Sequence, residues 1–200
     1  ETLLAMIDVA KWSFAVGHVF NDLCASMWFL FTLPYLTEVL LLKNTTTGDI
    51  ILIGQVCDAI ATPLIGIESD RRGFLCGSKI GNRKSWHLLG TVLTAVSFPF
   101  IFISFFEDTK TIIDWYIIIY YTPFVAIFQF AWATVQVTHL SLIPIMVKEG
   151  KDNGSLNSLR YMFTIAANVI VLVSTNLIFQ YRSSPSDGNK NNPSTISPSE

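Results

Sequence analysis

Ile50-Ile51-Leu52-Ile53-Gly54-Gln55-Val56-Cys57-Asp58-Ala59-Ile60-Ala61-Thr62-Pro63-Leu64-Ile65-Gly66-Ile67 is an apolar run with one carboxylic acid near its middle. Its length decides the fold, because a hydrocarbon core of about 30 Å is crossed by roughly 20 apolar residues at about 1.5 Å each. An ionised carboxylate at that depth costs at least about 2.5 kcal/mol even on the most lenient scale, so Asp58 is a candidate for function rather than architecture. The run ends in a basic loop that contains Asp70-Arg71-Arg72 and Asn82-Arg83-Lys84.

Working outward, four further apolar stretches meet the same length test, so the predicted membrane helices are residues 12–36, 50–67, 86–106, 115–147 and 159–181. With 51% hydrophobic and 14% charged residues in long blocks, the chain reads as all-α and transmembrane, not as a set of soluble amphipathic helices. The fourth stretch is too short for two crossings and a turn, and Pro123 and Pro144 mark where it bends or ends. The first is too long for a cleaved signal and carries His18 and Asp22 within it. Cys24, Cys57 and Cys76 lack CxxC spacing, so neither a disulfide framework nor a metal site is expected, and no cofactor.

The thirteen Lys and Arg residues are unevenly placed. Lys11, Arg71, Arg72, Lys79, Arg83, Lys84, Lys148, Lys151 and Arg160 fall on one side, against Lys43, Lys110, Arg182 and Lys190 on the other. That bias puts the N-terminus and both basic loops in the cytoplasm. The sequon Asn44-Thr45-Thr46 then falls on the opposite side, where Asn44 is a glycosylation candidate, and Asn153-Gly154-Ser155 falls on the silent side. Residues 182–200 change to Ser, Pro, Asn and Gly and are expected to form a disordered non-cytoplasmic loop or tail.

Helical periodicity gives four of the five helices a polar stripe. His18, Asn21, Asp22, Ala25 and Thr32 share a face of the first, and Gln55, Asp58, Thr62 and Gly66 one of the second. Gln129, Trp132 and Gln136, with His139 at the edge, do so in the fourth, and Tyr161, Thr164, Asn168 and Thr175 in the fifth. Such helices pack around a hydrated cavity, with the uncharged third helix turned more toward lipid. His139, close to Pro144, reads as a packing or capping histidine.

Several spaced motifs carry a resemblance over residues 11–181. They are Lys11-Trp12-Ser13-Phe14-Ala15-Val16-Gly17-His18, Asn21-Asp22-Leu23-Cys24-Ala25-Ser26-Met27-Trp28, Gly54-Gln55-Val56-Cys57-Asp58-Ala59, Ser69-Asp70-Arg71, Ser97-Phe98-Pro99-Phe100, His139-Leu140-Ser141-Leu142-Ile143-Pro144 and Leu159-Arg160-Tyr161. The chain resembles the N-terminal half of the glycoside-pentoside-hexuronide cation symporter branch of the major facilitator superfamily, most closely its members associated with cysteine import into lysosomes and melanosomes.

The resemblance implies twelve helices, of which this chain would carry five, stopping in the loop before the sixth. It implies substrate binding by the carboxylate at Asp22 and the arginine at Arg160, to which the polar stripes add His18, Asn21, Trp132 and Gln136 as candidates. It assigns coupling-ion binding to Asp58, and conformational locking to Gly66, Asp70, Arg71, Arg83 and Lys84 through charge pairs with the second half. Gly66 is also expected to let helices approach closely. Two departures bear on specificity: a second helix-two carboxylate of the family's sodium site is Thr62 here, and the sugar-gripping helix-four carboxylate is Gln136. A proton, which neutralises Asp58 outright, therefore fits better than sodium, and an amino acid better than a galactoside.

The expected function is thus secondary active transport of a small polar solute by alternating access, from a multi-pass position in the lysosomal or melanosomal membrane, or the plasma membrane. Carbohydrate:cation symport and a non-transporting truncated membrane protein are the alternatives. An enzyme is disfavoured by the lack of paired catalytic groups or a metal-ligand cluster. The expected partners are the substrate, a coupling proton or sodium and membrane lipid; nucleic acid is not among them.

Overall fold

The computed structural model describes residues 2–71, 81–104, 114–148 and 152–183, the side chains of residues 2–8, 114, 148 and 183 excepted. The described residues form helices only: α1 (Thr2–Val16), α2 (Val19–Pro34), a π-helical turn (Tyr35–Val39), α3 (Asn44–Asp70), α4 (Asn82–Phe102), α5 (Asp114–Leu140), α6 (Ile143–Lys148) and α7 (Asn153–Ser183). Five helical stretches are long and apolar enough to cross a membrane: Val9–Val39, Asn44–Asp70, Asn82–Phe102, Trp115–Val147 and Asn153–Arg182.

α3, α4 and α7 begin before the apolar stretches, with polar turns such as Asn44-Thr45-Thr46 and Asn82-Arg83-Lys84. Hydropathy marks the hydrocarbon-spanning part of a helix, whereas backbone hydrogen bonding carries on into the interface. α4 starts from Gly81, whose φ of 89° lies in the left-handed region where glycine meets no Cβ clash.

α5 lies at the centre, packed along α3 and α4, while α7 packs against α1 and α2. The core is aromatic: Phe128 of α5 meets Trp28 of α2 and Phe98 of α4 with ring centroids 5.4 and 5.0 Å apart. Lipid tails are as apolar as leucine, so such contacts and close backbone approach, not water exclusion, hold membrane helices together. The close approaches are at Gly54 and Gly90. A Cβ at Gly90 would sit 2.9 Å from Val135 Cγ2 and 3.0 Å from the Ala131 carbonyl oxygen.

One expectation is corrected here. Gly66 has open space where its side chain would be, so it is not a close-packing glycine among the described residues. Of the spanning windows, that of α4 is 33% buried among the described residues and that of α7 11%.

The first span is broken at Gly17-His18, between α1 and α2. No proline marks the break, and the flanking bonds persist, Gly17 N–H to the Ser13 carbonyl and Asp22 N–H to that of His18, each at 3.0 Å. Discontinuous membrane helices are where carriers place their sites, since backbone and side-chain polar groups there turn toward a ligand.

Candidate functional site: a cavity between α2, α5 and α7

Immediately after the break, Asp22 is buried and faces α7. Its Oδ1 lies 3.0 Å from His18 Nδ1, a close but poorly aligned contact, and its Oδ2 accepts a 3.0 Å hydrogen bond from Thr164 Oγ1. Asn21 Nδ2 lies 3.3 Å from His18 Nε2. One turn on, Ser26 Oγ donates to the Asp22 carbonyl at 2.8 Å and to Asn168 Oδ1. The i, i+4 spacing of these residues on α2, and of Arg160, Thr164 and Asn168 on α7, puts both polar rows on facing stripes.

Arg160 lies two turns inside α7 and donates from Nη2 to Gln136 Oε1 of α5 at 3.1 Å. Its Nε has no hydrogen-bond partner among the described residues. Asp22, Trp132, Gln136, Arg160, Thr164 and Asn168 line one cavity of about 480 Å³, with Phe29, Leu30 and Leu172 on its apolar side. A negative and a positive group thus face one volume large enough for a small solute.

Of the residues singled out for substrate binding, the fold brings Asp22, Trp132, Gln136 and Arg160 to the cavity wall, with His18 and Asn21 buried behind Asp22. Gln129 is not among them. It is fully buried against Gly54 on α3, from whose Cβ position its Nε2 would lie 3.3 Å away. Ser26 was not singled out, although its place four residues after Asp22 on the α2 row was the signal that could have found it.

Asp58 and Thr62 also lie outside the cavity wall. They sit one turn apart on α3, Asp58 half-buried and Thr62 exposed.

At the α3–α4 end, Arg83 donates to Asp70 Oδ1 from Nε (3.1 Å) and Nη2 (2.6 Å), and from Nη1 to the Ser141 carbonyl at the end of α5 (2.8 Å). Asn82 Nδ2 approaches the Glu68, Ser69 and Arg71 carbonyls at 3.1, 3.0 and 2.6 Å, and Arg71 pairs with Glu68 at 2.6 Å. The charge pairs seen therefore lie within this bundle, where they clamp three helix ends together. Gly66 lines the groove beside Asp70 and Arg83, and Lys84 is exposed at its rim. Asn44 is exposed in the first turn of α3, at the other end. Of residues 182–200, expected to be a disordered loop or tail, Arg182 and Ser183 instead complete α7, and residues 184–200 lie outside the described residues.

Residues 13–195 match the family described as MFS/sugar transport protein. The chain is 47% identical over 163 residues to human major facilitator superfamily domain-containing protein 12, covering 82% of this chain and 34% of that protein. The horse protein of the same name is 44% identical over 184 residues, covering 92% of this chain and 38% of the relative. An uncharacterized symporter of Synechocystis sp. is 28% identical over 164 residues, 82% of this chain and 29% of its own length. The chain therefore spans about a third of the length of these curated relatives. No solved structure matches it. The chain belongs to the MFS/sugar transport protein family, a family of multi-pass membrane transporters and not of enzymes.

Proposed function

We propose, from that membership, that this chain supplies a substrate-binding cavity to a secondary active transporter of a small amino acid, cysteine or a close relative, moved into lysosomes or melanosomes. The observation that carries the reading is the opposition of Asp22 and Arg160 across one cavity. An amino acid presents an ammonium and a carboxylate, and these two side chains offer one complementary charge of each sign. A galactoside has no charge to match either. Thr164 and Gln136 hold the two charged groups in place, so substrate meets oriented charges.

Coupling to a proton follows from the side chains of α3. Asp58 has only the Thr62 hydroxyl one turn away where a sodium site needs a further negative charge, and a proton needs none. Asp70, Arg71, Arg83, Lys84 and Gly66 form the conformational clamp of the loop, and Asn44 the glycan acceptor on the opposite face. The test is uptake by the full-length protein in proteoliposomes, with cysteine, cystine and galactosides compared side by side. Concentrative uptake of cysteine alone supports the reading; concentrative uptake of galactoside alone replaces it with sugar symport.

A further inference from the structure

The chain has three histidines, one each on the α1–α2 break, α4 and α5, and the fold gathers all of them. His139 is the hub: its ring centroid is 4.8 Å from that of His18 and 5.6 Å from that of His87, and it stacks on Phe14 at 4.1 Å. His18 and His139 are buried to 1% and 2% exposure. Neither His139 Nε2 nor His87 Nδ1 has a hydrogen-bond partner among the described residues. Buried polar atoms without partners cost free energy, so two such rings in contact, with a third beside them, require an explanation that packing alone does not supply.

One end of the cluster touches Asp22 in the substrate cavity, through His18 Nδ1. At the other, His87 and His139 line a second cavity, of about 450 Å³, with Lys84, Ser13, Gly17 and Met146. That cavity is large compared with the roughly 30 Å³ that a water molecule occupies. It lies at the Lys84 end, the face that the excess of basic residues assigns to the cytoplasm. Among the described residues the charged groups that face the cluster are Asp22 from α2, Lys84 from α4 and Arg160 from α7.

We propose that His87, His139 and His18 form a proton relay between the Lys84-side cavity and the carboxylate of Asp22. A neutral imidazole accepts a proton on one nitrogen and releases one from the other, so charge and protons balance at every transfer. His87 takes a proton from water in the cavity and passes it to His139 across a bridging water. His18 accepts it at Nε2, the atom beside Asn21, and releases the Nδ1 proton to Asp22, which becomes neutral. The Asn21 amide nitrogen beside Nε2 is compatible with the tautomer that carries its proton on Nδ1, the atom 3.0 Å from Asp22 Oδ1. The relay thereby sets whether Asp22 meets the substrate ammonium as a charged or a neutral group, and ties that state to the pH of one compartment.

This inference rests on the transporter reading, so two measurements are needed. The first uses the full-length protein in proteoliposomes with labelled cysteine, comparing accumulation driven by a pH gradient with exchange at equal pH. His139→Phe keeps the ring stack and removes the nitrogens, and His87→Gln interrupts the path at its exposed end. In both, gradient-driven accumulation is expected to be lost while exchange persists. Accumulation with the parent's pH profile in both variants overturns the relay and leaves the transporter reading intact; absence of cysteine transport by the parent fails that reading instead. The second measurement needs no substrate: nitrogen-15 NMR of the histidine rings in nanodiscs. The relay predicts that solvent protons exchange at His18 in the parent and that His87→Gln slows that exchange severalfold. Unchanged exchange at His18 overturns the relay whatever the transport result.

Discussion

Thr164 of α7 donates its hydroxyl to Asp22 of α2 at 3.0 Å, fixing the cavity's one acidic wall residue to the helix that also carries its arginine. The same hydroxyl contacts the Arg160 carbonyl one turn back, at 3.3 Å. Any movement of α7 relative to α2 therefore changes the separation of the two charges. Replacing Thr164 with Val removes one partner of a buried carboxylate, a loss of about 1–3 kcal/mol, or roughly tenfold in affinity per 1.4 kcal/mol. Cysteine uptake at low concentration is expected to fall by about tenfold in Thr164→Val and to recover in Thr164→Ser. Equal uptake in all three proteins would show that the bond does not orient Asp22.

Close helix packing gives a stability prediction with an internal control. Gly90→Ala forces a methyl to within 3.0 Å of the Ala131 carbonyl and is expected to cost about 1–3 kcal/mol. Gly66→Ala meets open space and should stay within about 0.5 kcal/mol of the parent. Thermal unfolding in detergent, followed by tryptophan fluorescence, compares them; equal midpoints would contradict the packing described.

The clamp predicts a kinetic effect without a large thermodynamic one. Asp70 is mostly exposed, and exposed ion pairs contribute about 0–1 kcal/mol, so Asp70→Asn should leave the unfolding midpoint almost unchanged. Its transport rate should fall, and that of Arg83→Gln further, because Arg83 also holds the Ser141 carbonyl. Wild-type rates in both would remove the clamp from the transport cycle.

The part of Asp58 in coupling is tested separately from the relay to Asp22. Uptake should follow the proton gradient and not sodium, and Asp58→Asn should abolish uphill accumulation while sparing exchange. Accumulation by that variant with unchanged pH dependence would make Asp58 a structural residue.

The five crossings and the polar rows of α2 and α7 were legible in the sequence, because hydrophobic length and i, i+4 spacing are local properties. Asp22 and Arg160 were singled out in the sequence, by a charge within an apolar helix and by the family resemblance, and the fold sets both on the wall of one cavity. The Gly17-His18 break was not, since glycine is permissive within helices and no proline marks the site. Gln129 looked like a cavity residue because it shares the α5 row with Trp132 and Gln136, and only the approach of Gly54 turns it to α3. The meeting of His18, His87 and His139 lies further out of reach. His18 lies in the α1–α2 break and His87 and His139 are lone histidines on α4 and α5, so their contact arises from how α2, α4 and α5 pack.

Topology is open to a direct check. Glycan attachment at Asn44 and none at Asn153, read by mobility shift in single-site variants, is the expected pattern; attachment at Asn153 would invert the bundle.

The central claim is that Asp22 and Arg160 grip the two charges of one substrate. The most direct measurement is competition against labelled cysteine by cysteine, and by its analogue lacking the carboxylate, cysteamine, in the parent and in Arg160→Gln. The parent should favour cysteine strongly, and Arg160→Gln should lose that preference, whereas Asp22→Asn should bind neither. An Arg160→Gln protein that still prefers cysteine as strongly as the parent would contradict the account.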